Sequence, residues 1–542
     1  MSTHLVPRLV KLSKPSDLEL TVYLVLDRKT TRQNQKLKTL NQYVQQYPSG
    51  WKKRLELANL LYEIGEWEQA VKEYRQVLER QPQDVHIGLK LGKILQVIAR
   101  KEEAISIYQK ILSVCQSEIN QRHIEGLLAI CKGNRSAAIE AFTAAASLEP
   151  DNKVHWLAAG QVHSETENAL AALEIYEKIL SDQPDNLVAL ISSYDELIAV
   201  GELGKAEQKL SRAIDVSSQD FRVLKRQIDR SLRKRLVSSD AGKQTRKLIS
   251  VALKLAPQTA DSHHSLAYYY IFRGEPKKGV QILQEFTQEH QKNPSSWYYY
   301  ARCLFHTGNH GEAAAAILQA YQLYPQDCEI NRTLCEILSV AGQLKQLRPL
   351  LEEMLDRFPH HWSIRATVGQ VLVEHYQAIE RGCDLSLQAT HFQPQLAATW
   401  FHHGRVLALA GRPQAAVAAL ATGWQLLPDT GGNLHAVSAA TCLAESYAGS
   451  EDPESRIQNP ESTDCSQSWW QETYRRAEGL MNFDPAMACY WQGKALEELG
   501  TWKDAIDAYN KALDWQLLNP ALGEVEATLK RLKAMARKGS SA

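Results

Sequence analysis

Residues 51 to 84 set the pattern of the chain: Leu57, Ala58 and Leu61 fall on one face of a predicted helix, and Gly65 permits a tight turn. Ala70, Tyr74 and Val77 form the apolar stripe of a second predicted helix, which Pro82 stops. Two antiparallel helices of this length cannot bury both stripes against each other, so each hairpin needs another stacked on it. The punctuation repeats. Prolines after helical stretches stand at Pro48, Pro82, Pro150, Pro184, Pro325, Pro359, Pro394 and Pro428, with gaps of 34, 68, 34, 141, 34, 35 and 34. A 34-residue period with some unmarked ends accounts for most of them and predicts an all-α repeat array.

The small and bulky positions recur with the prolines. Leu91, Gly92, Ala104 and Tyr108 form one copy; Gly126, Gly133, Ala138, Phe142, Ala145 and Pro150 form the next; Trp156, Gly160, Ala172, Tyr176 and Pro184 follow. Later copies carry Trp297, Ala301, Gly308, Ala313 and Ala320, then Trp400, Gly404, Gly411 and Ala416, then Gly493, Leu496, Gly500, Ala505, Tyr509 and Ala512. This pattern resembles the tetratricopeptide repeat. The resemblance implies a right-handed superhelical solenoid of about fourteen antiparallel helix pairs with a C-terminal capping helix.

The expected organisation is uneven. A degenerate N-terminal capping repeat spans 1–50, an N-terminal array 51–220, a basic irregular repeat or hinge 221–259 and a middle array 260–430. A repeat at 431–485 is interrupted by the acidic stretch 449–468, and the final repeat and capping helix fill 486–542. The 449–468 stretch has five acids and one base, a composition that predicts a flexible loop.

Between Phe221 and Pro257 there are eleven basic residues and two acidic ones, and the unit is about five residues too long. Arg222, Arg226, Arg230 and Lys234 run at i, i+4 spacing, with Arg233 beside them. Like charges so spaced repel by about 0.2–0.5 kcal/mol per pair. The first reading is a solvated face that bends the solenoid. The sharper one is a docking patch for an acidic protein, RNA or anionic lipid, which makes a nucleic-acid-binding helical repeat the alternative function.

In the family that the chain resembles, first helices line a concave face that takes partner segments. The resemblance places His264, Tyr268 and Phe272 there in one unit, Tyr298, Arg302, Phe305 and His306 in the next, and Phe401 and Arg405 further on. Aromatic and Arg side chains are the types that anchor protein interfaces. The competing reading is packing between hairpins. A chaperone-binding carboxylate clamp fits poorly, since Leu55 and Ile124 stand where polar or basic residues belong.

Composition narrows the function classes. Lys+Arg and Asp+Glu balance at 62 each, so no global attraction to nucleic acid is encoded. The nine cysteines form no C-x-x-C pair, and adjacent histidines at 263–264, 360–361 and 402–403 point about 100° apart on a helix, too far to share one ion easily. Neither a cofactor nor a metal is expected. No catalytic motif occurs, and the repeats leave no block for a catalytic domain. The expectation is a non-catalytic cytoplasmic scaffold or adaptor for other proteins, with delivery of a substrate to a separate enzyme as its only link to catalysis. The partner's identity and the oligomeric state are not legible.

Overall fold

The computed structural model describes residues 31–542 apart from 64–66, 98–99, 238, 256–258, 428–432, 451–464 and 540–542. The turn expected at Gly65 and the body of the acidic stretch lie outside the described residues, as does the first half of the N-terminal capping repeat. Among the described residues there are 28 helices and no strand, with one isolated β-bridge. Consecutive helices pair as antiparallel hairpins, and each hairpin stacks on the next to build an all-α solenoid. No helix among the described residues is long and apolar enough to cross a membrane.

Several hairpins close where glycine meets an aromatic ring. A Cβ on Gly92, Gly126, Gly160 or Gly493 would stand 2.3–2.6 Å from the ring of Tyr108, Phe142, Tyr176 or Tyr509, which leaves hydrogen as the only side chain that fits. Helix starts are fixed by side-chain caps: Asn134, Asn168 and Asn186 each accept the backbone N–H three residues on, at 3.1, 3.3 and 3.1 Å.

The turn inside the hairpin records the period most cleanly. Residues with positive φ fall at Gly133, Glu167, Gly201, Arg235, Gly274, Gly308, Gly342, Gln377 and Gly411, separated by 34, 34, 34, 39, 34, 34, 35 and 34. The long interval belongs to the basic unit. Its second helix, Ser239–Leu255, has 17 residues, whereas the preceding second helix, Leu203–Ser217, has 15 and the next, Pro276–Glu289, has 14. At the C-terminus, helix Ala521–Gly539 buries Val525, Leu529 and Leu532 while Lys530, Arg531 and Lys533 face solvent.

The solenoid curls until one level of the superhelix rests on another. The turn at Glu167 meets Arg332 and Trp362, the turn at Gly201 meets Asn433 and His435, and Arg235 meets Asp484 and Trp515. His306 O accepts the Asn519 side chain at 3.4 Å. The hairpin turns of the earlier level therefore sit on the helix starts of the later one, along a seam that joins residues about two hundred positions apart in sequence.

Candidate functional site

The superhelix encloses a cavity of about 1920 Å³ between its two levels. First helices supply most of its wall, from Val85–Val97 at one end to Leu434–Ser450 at the other. One position recurs in this wall: Arg302, Glu336, Gln370 and Arg405 stand 34, 34 and 35 residues apart, so the period delivers one long polar side chain per repeat to the same line. Lys93 and Gln161 occupy the corresponding places in earlier units.

The wall is mixed, more apolar than polar in area, and some of its buried polar atoms are unpaired within the chain. Nδ1 of His163, Nε of Arg332, Oγ of Ser339 and Nε2 of His361 and His375 are buried with no hydrogen-bond partner within the chain. Their residues all line the cavity.

Where the wall meets the seam, Arg332 NH1 lies 2.5 Å from Glu167 Oε1 and donates to Ser363 Oγ at 2.9 Å, while NH2 is bonded to Glu329. Burial alone would pull the Arg332 guanidinium down; Glu167 and Glu329 more than offset it and hold its pKa above the ordinary arginine value. His361 stands beside this group, with Nδ1 3.9 Å from Glu167 Oε2, and burial lowers its pKa.

The nine groove candidates separate into two sets. Arg302, His306, Phe401 and Arg405 line the cavity. His264, Tyr268, Phe272, Tyr298 and Phe305 stand behind it, at 0, 0, 3, 5 and 2% exposure. The reason is local packing: first helices Phe221–Arg233, Ala260–Phe272 and Pro294–His306 pack directly on one another, and aromatic rings fill the space between them. His264 lies 4.3 Å from the Tyr299 ring and 4.4 Å from Tyr268, and Tyr268 OH bonds His306 Nδ1. Arg302 NH1 donates to Tyr298 OH at 3.0 Å.

The basic row is engaged from within the chain. Arg222 NH2 pairs with Asp220 at 2.7 Å, Arg226 is held by both oxygens of Asp195, and Arg230 and Lys234 each reach Glu207 at 3.4 Å. Arg233 donates to Tyr194 OH at 2.6 Å. The preceding hairpin, Leu187–Ala199 with Leu203–Ser217, supplies Asp195 and Glu207, and so relieves the repulsion that the sequence assigned to an outside partner. Lys225 is 2% exposed and bonded to Asp229 at 2.6 Å, with Asp261 at 3.6 Å. Burial would lower its pKa, and the two carboxylates together raise it. The patch is thus a buried and half-buried ion network.

Two sets of residues escaped the sequence reading. The cavity positions Glu336 and Gln370 follow from Arg302 by counting the period, a signal that aromatic content obscured. Glu167 and Arg235 stand 34 residues on either side of Gly201, at places where a glycine is the usual residue. A charged residue at a position that demands positive φ was the available sign of the seam.

Residues 55–117 and 125–186 match the family model described as tetratricopeptide repeat, and residues 242–320 match the model described as anaphase-promoting complex, cyclosome, subunit 3. The chain is a tetratricopeptide-repeat protein. Among solved structures, a crystal structure of MamA protein is 22% identical over 31% of this chain and 92% of that one, with a TM-score of 0.24. A structure of Naa15/Naa10 bound to HypK-THB is 13% identical over 96% of this chain and 97% of that one, with a TM-score of 0.31. As a tetratricopeptide-repeat protein the chain belongs to a class of protein-interaction scaffolds.

Proposed function

We propose that this protein is a non-catalytic adaptor that holds a segment of a partner protein in the cavity between the two levels of its superhelix. The observation that carries the reading is the cavity itself: about 1920 Å³, walled largely by the first helices of successive repeats and lined with a long polar side chain from six of them. A volume of that size exceeds an ordinary small-molecule pocket, for which roughly 300–1,000 Å³ is usual, and suits a stretch of polypeptide. Lys93, Gln161, Glu336 and Gln370 in the wall carry donors and acceptors suited to a peptide backbone. Arg302 and Arg405 are the charged groups from the sequence reading that remain in position to meet such a segment. A cytoplasmic setting belongs to the same proposal.

A photo-crosslinking residue at Gln370 or Arg405 tests it in the native cell. Crosslinks to one partner from both positions, lost on Arg302→Glu, are expected. Crosslinks arising only from the exposed second-helix position Glu177, with none from the cavity, would overturn the reading.

A further inference from the structure

The seam bounds one side of the half-open cavity. The seam is built largely from polar contacts. Trp362 Nε1 donates to Glu167 O at 3.1 Å, Asn433 Nδ2 to Glu202 Oε1 at 3.1 Å, and Arg235 Nε to Trp515 O at 3.1 Å; His435 Nε2 lies 3.1 Å from Ala199 O. Two ion pairs reinforce them, Glu167 with Arg332 and Arg235 with Asp484, the second at 3.6 Å. Apolar contact across it comes from Leu203 and Ile198 in the cluster of Leu434 and Val437, Val200 against Trp362, and Leu518 in the cluster of Val237 and Phe272. Interfaces of this mixed kind within one chain permit relative motion, whereas the hairpin-to-hairpin stacking is continuous hydrophobic core.

The seam also carries a desolvation cost. Glu167 and Arg235 stand at the positive-φ position of their hairpin turns, at 54 and 55°, as Gln377 does elsewhere. Both are seam residues, and their side chains make its ion pairs. Asp484, at 0% exposure, leaves Oδ2 without a hydrogen bond, and burial lowers the pKa of Arg235 despite the carboxylate beside it. Parting the seam would rehydrate these groups, so the favourable contacts of the closed form are opposed by desolvation.

We propose that the seam is a clasp: it parts to admit an internal, extended stretch of a partner polypeptide and re-forms over it, so that the protein holds its partner by encirclement. The partner then needs no free terminus, and both entry and release pass through the open form. This rests on the reading of the cavity as the docking site, but the clasp can be tested with no partner present.

Glu202 and Asn433 are partners in an antiparallel bridge across the seam. Such partners stand about 4.5–5.5 Å apart at Cα, within disulfide reach. In the full chain, Glu202→Cys with Asn433→Cys gives a lock, and Gln370→Cys in the cavity gives a probe for a bulky maleimide, with modification read by mass at position 370. The expected result is that the oxidised lock slows bulky labelling several-fold relative to the chain carrying Gln370→Cys alone, while a small maleimide labels both at similar rates. Asp484→Asn with Glu167→Gln, in the unlocked probe chain, should speed bulky labelling at unchanged helicity and enlarge the radius of gyration in X-ray scattering. Equal bulky labelling with and without the lock, or failure of the pair to oxidise in the folded protein, would overturn the clasp and leave the docking proposal standing. If the lock behaves as expected and cavity crosslinks never form, the docking proposal fails and the moving seam survives.

Discussion

The repeats over residues 85–186 and those over 221–306 are made of the same hairpin and held by different forces. In the first stretch the second-helix rings of Tyr108, Phe142 and Tyr176 rest on Gly92, Gly126 and Gly160, and fit is by shape. In the second, Ile228, Ala267 and Ala301 stand where those glycines would, and the apolar core is joined between first helices by a charge network of Lys225, Arg226, Asp229 and Asp261, buried at 2, 3, 8 and 0% exposure. The stretch matched to the tetratricopeptide model covers almost all of the first region and none of the second. A fold can thus keep its period while exchanging the interaction that enforces it, and the exchange alters how each region fails.

The largest effect should come from breaking the ion network. Lys225→Met leaves Asp229 and Asp261 buried without their cation and should cost about 3–5 kcal/mol at pH 8 by denaturant unfolding. Burial already holds the Asp229 carboxyl above its usual range, and losing the ammonium that opposes this raises it further. Stability then falls as pH rises through that raised pKa, so the loss should be smaller at pH 5. A loss independent of pH would show that shape, not charge, dominates here too.

Gly160→Ala probes the other region. Its Cβ would stand 2.6 Å from the Tyr176 ring, an overpacking that should cost about 1–3 kcal/mol with no dependence on pH or salt. A neutral outcome would mean that the ring can move aside and that the fit is loose.

His264→Phe should have a smaller effect of opposite sign. The ring is stacked on Tyr299 at 0% exposure and neither nitrogen is hydrogen-bonded, so an apolar ring should gain about 1 kcal/mol at pH 7. Burial, helped by Lys225 and Arg302, holds the His264 pKa well below its usual 6.5. The unfolded chain takes up a proton below that pH and the folded one does not, so the natural protein loses stability on acidification through that range. The phenylalanine variant should lack that part of the slope in urea titrations at pH 7 and pH 5.

Least affected should be Glu177→Gln, which removes the partner of Lys209 at 2.7 Å on the exposed face of the N-terminal array. A change below about 1 kcal/mol is expected in thermal melts, since solvent and salt screen such pairs. A larger change would mean that ion pairing matters outside the middle region as well.

Much of the fold was legible because the period is written in residues with few alternatives: glycine under a ring, alanine between helices, proline after them. The long basic unit was legible too, since its extra residues break the count. The placement of Tyr298 and Phe305 was not, because an aromatic residue on a first helix serves a groove and an inter-helix gap equally well, and only the spacing of neighbouring first helices decides. The pairing of Arg226 with Asp195 was hidden for a related reason, as the acid lies 31 positions earlier on the preceding first helix. The seam was the least legible feature, for it depends on a small rotation per repeat accumulated over several units.

That stacking of levels also changes the molecule's folding problem. In an open solenoid each repeat needs only its neighbours, and a chain emerging from the ribosome can complete itself as it lengthens. Here the turns at Glu167, Gly201 and Arg235 must wait for Trp362, Asn433 and Trp515, synthesised 195, 232 and 280 residues later. A nascent chain stopped before residue 433 would carry an array of hairpins whose last contacts have not yet been made.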